Sequence, residues 1–250
     1  MVLHLTADRK QAYVVSIPRD SYIRLYDETG QPRRMDKANA AFSLSGPTAY
    51  LATVENLTGL RMQHLAVVDW AGFEDIANAL GGVEVYVPPS TVLDKSGAIK
   101  PGRQVLNGEQ ALRYVRTRYT LRSGDFGRID RQQNFIRSLM RKLLDRGTLT
   151  NPFTLAPTLD AVARSLTVDE SLDTGTMRNL ALPSRGIRPA DVTFVTAPFD
   201  RFDRTGSGAS RLDPAQSRQL WRAVGDDDIE SYLSRHGEGT GQLPAPRDVS

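Results

Sequence analysis

The 250-residue chain is 40% hydrophobic and 24% charged, which is the composition of an ordinary globular protein able to bury one substantial core. The absence of cysteine excludes disulfides, thiolate metal sites and a cysteine nucleophile, and the three histidines (His4, His64 and His236) have no zinc-ligand spacing. No apolar run approaches the roughly 18 residues of a membrane span, so the residues as given predict a soluble body.

The formal net charge of +3 is unevenly distributed. Six arginines and two aspartates lie between Arg113 and Arg131, which gives this window a charge of +4, whereas the 26 cations and 27 anions elsewhere nearly cancel. A surface that binds nucleic acid would spread its cations along one face. The concentration of charge therefore favours one local anion site.

The first part of the chain predicts two strands, a loop and a helix. The strands are expected at residues 1–5 and 13–16, and the turn-rich stretch 27–34 is expected to be a loop. A helix is predicted from Gly46–Pro47 to Thr58–Gly59, because proline favours the first helical position and glycine the position after the last.

A strand, a helix and a second strand are predicted next, at residues 64–68, 70–80 and 83–87. The helix carries its apolar residues on one face and is followed by two stop signals, Gly81 and Gly82. This order is typical of a βαβ unit. It predicts an α/β sheet covered by helices.

The remaining sequence predicts mainly helices. Residues 90–104 are expected to be a loop, and Asn107 with Gln110 resembles a capping box for a helix that reaches residue 114. Apolar residues at i, i+3, i+4, i+7 and i+8 between Ile136 and Leu144 predict an amphipathic helix, which Gly147 ends. The other predictions are helices near 153–165, 171–182 and 214–224, a strand at 192–197, and a disordered tail at 236–250.

The arginine-rich window contains the strongest chemical signal. Arg116 and Arg118 are expected at the end of one helix and Arg128 in the first turn or so of the next. A helix N-terminus favours phosphate, and arginine binds phosphate oxygens through a planar fork that never loses its charge. The alternative is a solvated loop in which Asp125 and Asp130 neutralise neighbouring arginines. Charge alone leaves both interpretations open.

A second polar segment follows the strand at 13–16. Pro18 ends this strand, so Arg19 and Asp20 lie just past its carboxyl end, where open α/β sheets place ligands. An ordinary surface ion pair is the alternative. Lys37 and Asn39 are also placed to touch a ligand, unless residues 36–42 are a loop that packs small residues beneath a sheet.

Several common enzyme signatures are absent from the sequence. It contains no G-x-S-x-G elbow, Walker A motif, G-x-G-x-x-G motif or H-E-x-x-H motif. These absences argue against α/β-hydrolases, P-loop enzymes, dinucleotide-binding enzymes and zinc proteases of the usual kinds.

Seven short segments follow one another in a characteristic order over about residues 1–145. They are Ser16-Ile-Pro-Arg-Asp20, Lys37-Ala-Asn-Ala-Ala-Phe42, Glu55-Asn-Leu-Thr-Gly59, the block from Asp69-Trp-Ala-Gly-Phe73 to Gly81-Gly-Val-Glu-Val85, Leu106-Asn-Gly-Glu-Gln-Ala-Leu112, Val115-Arg-Thr-Arg118 and Gly127-Arg-Ile-Asp-Arg-Gln-Gln133. Together, in this order, they resemble the LytR-CpsA-Psr family. The later part, to about residue 233, is similar to the variable half of the same domain, which predicts one catalytic domain at 1–235.

The resemblance implies a fold and an activity. The fold is α/β, with a central mixed β-sheet flanked by helices on both faces, an α-β-α sandwich in a single domain. The activity is a phosphotransferase that moves a cell-wall glycopolymer, such as teichoic acid, capsule or arabinogalactan, from a polyprenyl-pyrophosphate carrier onto peptidoglycan. The expected partners are that lipid-linked polymer, peptidoglycan and membrane lipid, at the extracytoplasmic face of the cell membrane.

The resemblance also assigns roles to single residues. The residues that match the family's pyrophosphate ligands are Arg19, Arg116, Arg118, Arg128 and Gln132. The catalytic candidates are Arg118, Asp125 and Arg128. The role implied for Asp125 is to act as an acid or base, or to orient a reacting group. Magnesium is expected as cofactor. Its acidic ligands and the membrane anchor are expected upstream of Met1, so that the chain as given is expected to lack both.

Two other functions stay open at this point. One is a module that binds polyprenyl pyrophosphate without turnover. The other is a transcriptional attenuator or DNA-binding regulator. The sequence has no helix-turn-helix pattern with a basic recognition helix, which argues against this second function.

Overall fold

The computed structural model describes residues 1–87, 99–116, 125–143, 160, 162–169, 171–184, 186–200 and 209–237. This part of the chain is mixed α/β, which confirms the predicted fold class. It divides into two compact units. The first comprises residues 1–65, 177–186 and those from 191 on, and the second comprises 66–176 and 187–190.

The described strands and helices are numbered here in chain order. The strands are β1 (Val2–Leu5), β2 (Ala12–Ser16), β3 (Tyr22–Tyr26), β4 (Pro32–Lys37), β5 (Ala66–Val68), β6 (Val83–Val87), β7 (Gly102–Leu106), β8 (Leu166–Val168), β9 (Val192–Thr196), β10 (Phe199–Asp200) and β11 (Arg211–Leu212). The helices are α1 (Ala38–Thr58), α2 (Trp70–Ala79), α3 (Gly108–Arg116), α4 (Asp125–Leu143), α5 (Thr174–Ser184), α6 (Pro214–Gly225) and α7 (Ile229–His236).

A mixed three-stranded sheet forms the centre of the first unit. Its order is β1-β2-β9; β1 pairs antiparallel with β2, and β2 pairs parallel with β9 in the register Ala12↔Val192. The middle strand β2 is buried along its whole length. Its core includes side chains from α1, α6 and α7, among them Val54, Leu220 and Tyr232. The strands predicted at 1–5, 13–16 and 192–197 are thereby confirmed.

The loop predicted at 27–34 is wrong in its second half, because β3 and β4 form an antiparallel hairpin there. Ile23 and Leu25 on β3 are buried, whereas β4 is exposed or half-buried throughout. Strand β4 therefore lacks the alternation of apolar residues by which a strand is recognised in sequence. The turn between them is held by Asp27, whose carboxylate accepts from the backbone N–H groups of Thr29 (3.0 Å) and Gln31 (2.9 Å).

Helix α1 begins earlier than predicted, at Ala38. The predicted start at Gly46–Pro47 coincides with a break inside it, where Gly46 has φ 79° and ψ −173°. A residue with a Cβ would be strained at that positive φ. The loop expected at 36–42 is therefore a helix from Ala38 on, with Ala38 and Ala41 buried. The predicted end is confirmed: the N–H of Gly59 donates to the Glu55 carbonyl at 2.8 Å.

The second unit contains the predicted strand–helix–strand order, but the βαβ interpretation is wrong. Strand β5 pairs antiparallel with β8, and β6 pairs antiparallel with β7. Strand β7 lies partly in the stretch predicted as a loop. The order of elements along a chain does not specify which strands pair, and a local antiparallel hairpin needs no crossover. Among the described strands, parallel pairing is found between β2 and β9 in the first unit.

Helices α2 and α3 pack against each other in opposite directions. Gly108, at the start of α3, lies so close to α2 that a Cβ would come within 2.5 Å of the Glu74 carbonyl oxygen and 2.8 Å of Asn78 Nδ2. The Gly108 N–H donates to Asn78 Oδ1 at 2.8 Å. A glycine is required for this approach.

The capping box predicted for α3 is confirmed. The Gln110 N–H donates to Asn107 Oδ1 at 2.9 Å, and the Asn107 N–H donates to Gln110 Oε1 at 3.1 Å. Helix α2 is capped by Asp69, whose carboxylate accepts from the Gly72 N–H at 2.7 Å. Both helices of this pair therefore begin at residues that satisfy their first N–H groups.

Helix α4 confirms the amphipathic helix predicted near Ile136. Among the side chains of this helix that the structure describes, Phe135 is fully buried, with its ring centroid 4.8 Å from that of Phe73, and Ile136 is half-buried. The predicted end at Gly147 and most of the helix near 153–165 fall outside the described residues. The same is true of the predicted tail beyond residue 237, although its first residue, His236, ends α7.

Replacing Gly108 by alanine tests the close approach of α2 and α3. The added methyl group would meet backbone that cannot move without shifting a helix, so we expect the free energy of unfolding to fall by about 2 kcal/mol. Gly186→Ala is the control, since no described residue lies within 4 Å of its Cβ position. Urea denaturation of both variants makes the comparison, and equal stability of the two would contradict the packing described.

A second prediction concerns Asp227, which joins two ends of the first unit. Its carboxylate accepts from the Ala7 N–H at 2.9 Å, and the other oxygen lies 2.6 Å from His4 Nε2. Burial works to raise the pKa of Asp227, but the bonds from Ala7 and His4 outweigh it and lower the pKa. The stability that this carboxylate contributes should therefore be complete above about pH 4 and be lost as the pH falls through its lowered pKa.

The measurement is the free energy of unfolding between pH 2 and pH 7 for Asp227→Asn and wild type. The variant should be less stable at pH 7 and should lose less stability on acidification. Asp226→Asn is the control, because the described residues offer its side chain no hydrogen bond. A pH profile of Asp227→Asn parallel to that of wild type would show that Asp227 does not contribute as described.

Candidate functional site

Arg19 lies just past the end of β2, as the sequence predicts. After Pro18 the chain turns, with the Ser21 N–H donating to the Pro18 carbonyl at 3.0 Å. The Arg19 side chain is about half exposed, and its Nε lies 3.8 Å from Asp20 Oδ2. Lys37 Nζ approaches the other oxygen of the same carboxylate at 3.6 Å. Two cations thus share one carboxylate, and an excess positive charge remains for an anion.

The start of α1 is fixed to this segment through the backbone. The Asn39 N–H donates to the Arg19 carbonyl at 2.9 Å, and the Ala38 N–H donates to the Ser21 carbonyl at 2.8 Å. Lys37, the N-cap residue, makes no side-chain capping bond. The first N–H groups of α1 are therefore occupied by protein carbonyls. Of the predicted residues, the structure brings together Arg19, Lys37 and Asn39.

Two buried serines flank Arg19, and the sequence analysis did not single them out. Ser16 ends β2 and Ser21 precedes β3; both are buried, and within the described residues neither hydroxyl has a hydrogen-bond partner. Buried hydroxyls usually have partners. No pattern in the sequence distinguishes these serines from serines that are satisfied, because burial and partners depend on the folded surroundings.

Arg116 is the last residue of α3, and its surroundings differ from those of Arg113 one turn earlier. Arg113 Nη2 lies 2.6 Å from Glu109 Oε1. The Arg116 guanidinium carbon instead lies 5.2 Å from the centroid of the Trp70 ring. Among the described residues, no carboxylate lies within 4 Å of the Arg116 guanidinium. Arg113 is thus paired with a carboxylate of its own helix, whereas Arg116 is not. The alternative in which Asp125 and Asp130 neutralise the arginines concerns side chains outside the described ones.

The other predicted site residues are described only in part. Asp125, Arg128 and Gln132 are the first, fourth and eighth residues of α4, for which the backbone alone is described. This confirms that Arg128 lies in the first turn or so of the helix. Arg118 lies outside the described residues. Arg19 belongs to the first unit and the α4 residues to the second, so their convergence on one pocket stays a prediction.

Neither a metal site nor a membrane span is found in the described part of the chain. No group of three histidine or carboxylate side chains there is close enough to hold an ion. Among the described helices, none combines the length and the apolarity needed to cross a bilayer.

Comparison with known proteins identifies relatives of known family. The chain is 36% identical over 228 residues to the cell wall biosynthesis protein LcpA of Corynebacterium glutamicum, an alignment that covers 82% of this chain and 43% of the relative. It is 34% identical over 177 residues to the polyisoprenyl-teichoic acid–peptidoglycan teichoic acid transferase TagU of Enterococcus faecalis, covering 70% and 55%. The chain thus spans about half the length of the curated relatives that it matches.

Solved structures share the fold. The TagV structure of Bacillus subtilis superposes with a TM-score of 0.70 at 24% identity, over 88% of this chain and 84% of that one. A LytR-Csp2A-Psr enzyme from Actinomyces oris superposes with a TM-score of 0.74 at 22% identity, over 89% and 83%. The predicted α/β fold is confirmed by this agreement.

One family model matches most of the chain, and this match identifies the family. This model covers residues 1–223. The chain belongs to the LytR_cpsA_psr family.

Proposed function

We propose that this chain is the catalytic domain of a phosphotransferase that moves a cell-wall glycopolymer from a polyprenyl-pyrophosphate carrier onto peptidoglycan. The observation that carries the proposal is the family match over residues 1–223. It is supported by relatives at 34–36% identity that are named as a cell wall biosynthesis protein and a teichoic acid transferase acting on a polyisoprenyl-linked polymer.

Five residues are proposed to bind the pyrophosphate. They are Arg19, Arg116, Arg118, Arg128 and Gln132. Arginine suits this task because its fork donates two parallel hydrogen bonds to phosphate oxygens and stays charged. Arg116 supports the proposal most directly, since a tryptophan ring leaves its charge and its N–H donors available, whereas a carboxylate would neutralise it.

The proposed reaction is a single displacement at phosphorus. A hydroxyl of a peptidoglycan sugar attacks the phosphorus that bears the glycopolymer, and a new P–O bond forms. The bond from that phosphorus to the bridging oxygen breaks, and polyprenyl phosphate leaves with the electron pair. Asp125 is proposed to accept the hydroxyl proton. Arg118 and Arg128 are proposed to stabilise the charge that develops on the phosphate oxygens.

The remaining parts of the proposal concern surroundings and cofactor. The lipid carrier requires a membrane nearby, and peptidoglycan places the reaction at the extracytoplasmic face. Magnesium is proposed as cofactor on the family resemblance, and the reaction steps above give roles only to residues of this chain.

Transfer of a labelled glycopolymer to peptidoglycan, with release of polyprenyl phosphate, tests the proposed reaction. Binding of the lipid pyrophosphate without transfer would favour the non-catalytic module instead.

A substitution on α3 tests the assignment of the anion site. Arg116→Lys keeps the charge but loses the fork, so we expect turnover to fall by about 30-fold, equivalent to about 2 kcal/mol of transition-state stabilisation. Arg113→Lys is the matched control on the same helix. Its arginine is paired with Glu109, and such exposed pairs contribute at most about 1 kcal/mol to stability.

The measurement is release of polyprenyl phosphate by each variant, with thermal melting alongside. Arg113→Lys should stay within about twofold of wild type. If both variants transferred the polymer equally well, Arg116 would have no role in binding the pyrophosphate.

A further inference from the structure

Trp70 is one of the most exposed large apolar side chains of the described residues. It is the first residue of α2 and is 53% exposed. Its backbone is fixed, because Asp69 caps the helix through the Gly72 N–H at 2.7 Å. A tryptophan half open to solvent gains only part of the stabilisation that full burial would give. Its contact with the Arg116 guanidinium at 5.2 Å is therefore the feature that calls for explanation.

The contact between these two residues follows from the packing of their helices. Gly108 at the start of α3 lies against Glu74 in the middle of α2 and Asn78 near its end. Because α3 runs in the opposite direction, its last residue, Arg116, reaches the first residue of α2. The packing of α2 against α3 therefore brings the Arg116 guanidinium into contact with the Trp70 ring.

A tryptophan ring and a carboxylate hold an arginine with different consequences. A carboxylate accepts N–H donors and neutralises the charge, as Glu109 does for Arg113 at 2.6 Å. The ring face attracts the cation electrostatically and accepts no conventional hydrogen bond. Arg116 is thereby restrained while its charge and donor groups stay available to a ligand.

We infer that Trp70 is a positioning residue for Arg116, holding the guanidinium in place for the pyrophosphate of the lipid-linked substrate. The inference rests on the proposed function. It adds a residue outside the five proposed ligands, and it assigns the exposed ring a task in ligand binding. Trp70 acts through Arg116 and contacts no reacting atom.

A double-mutant cycle measured by calorimetry with geranylgeranyl pyrophosphate tests this inference. Trp70→Leu keeps an apolar side chain without a π face and should weaken binding about three- to tenfold. Trp70→Phe keeps a π face and should bind within about twofold of wild type. Arg116→Ala should weaken binding at least tenfold. In the Arg116→Ala background, Trp70→Leu should cause no further loss, because the contact it removes is already gone.

Each possible binding result either supports or overturns the role inferred for Trp70. Equal loss from Trp70→Leu in both backgrounds would show that Trp70 acts independently of Arg116, and a Trp70→Phe protein as weak as Trp70→Leu would show that the ring's face is not what matters. Either result overturns the inference and leaves the proposed function intact. Wild-type affinity in Arg116→Ala would remove Arg116 from the site. A wild-type protein that binds no geranylgeranyl pyrophosphate would overturn the proposed function as well.

Discussion

The second unit depends on the close approach of α2 and α3 at Gly108. Only a residue without a side chain fits there, since a Cβ would lie 2.5 Å from the Glu74 carbonyl oxygen. At the same contact, Asn78 Oδ1 accepts a hydrogen bond from the Gly108 N–H at 2.8 Å. The contact also sets the position of Arg116 at the far end of α3. A backbone requirement at one end of the pair thus determines the placement of a cation at the other.

Within each unit, the cations differ in how far protein anions neutralise them. Arg113 is paired with Glu109, whereas Arg116 faces a ring. In the first unit, Arg19 and Lys37 share the carboxylate of Asp20 at 3.8 and 3.6 Å. An anion-binding site needs cations that the protein holds without cancelling them. Both segments meet this requirement, by an aromatic face in one case and by a shared carboxylate in the other.

Features that depend on local sequence could be predicted, whereas those that depend on pairing could not. The capping box of Asn107 and Gln110 is written in four consecutive residues and is present with both hydrogen bonds. Strand β5 pairs with the distant β8, and β6 pairs with β7, the next strand along the chain. The order of elements specifies neither partner, so the βαβ interpretation failed. Strand β4 was missed because its exposed, basic residues carry no alternation.

In the candidate site, too, some features can be predicted from local sequence and others depend on how the chain packs. The motifs predict Arg19 and Arg116 as site residues, and the structure shows each at the predicted end of its strand or helix. The role inferred for Trp70 had no signal in the sequence, because the ring and the guanidinium meet only when α2 and α3 pack. Ser16 and Ser21 escaped notice for the related reason that their burial is a property of the folded chain.

A crystal structure of this protein with geranylgeranyl pyrophosphate is the most direct test of the central claim, which is that Arg116 is held free of carboxylates to bind a pyrophosphate. The account predicts a phosphate oxygen about 3 Å from a guanidinium nitrogen of Arg116, with the Trp70 ring still against the guanidinium. Pyrophosphate bound elsewhere on the protein, with Arg116 making no contact to it, would contradict the account.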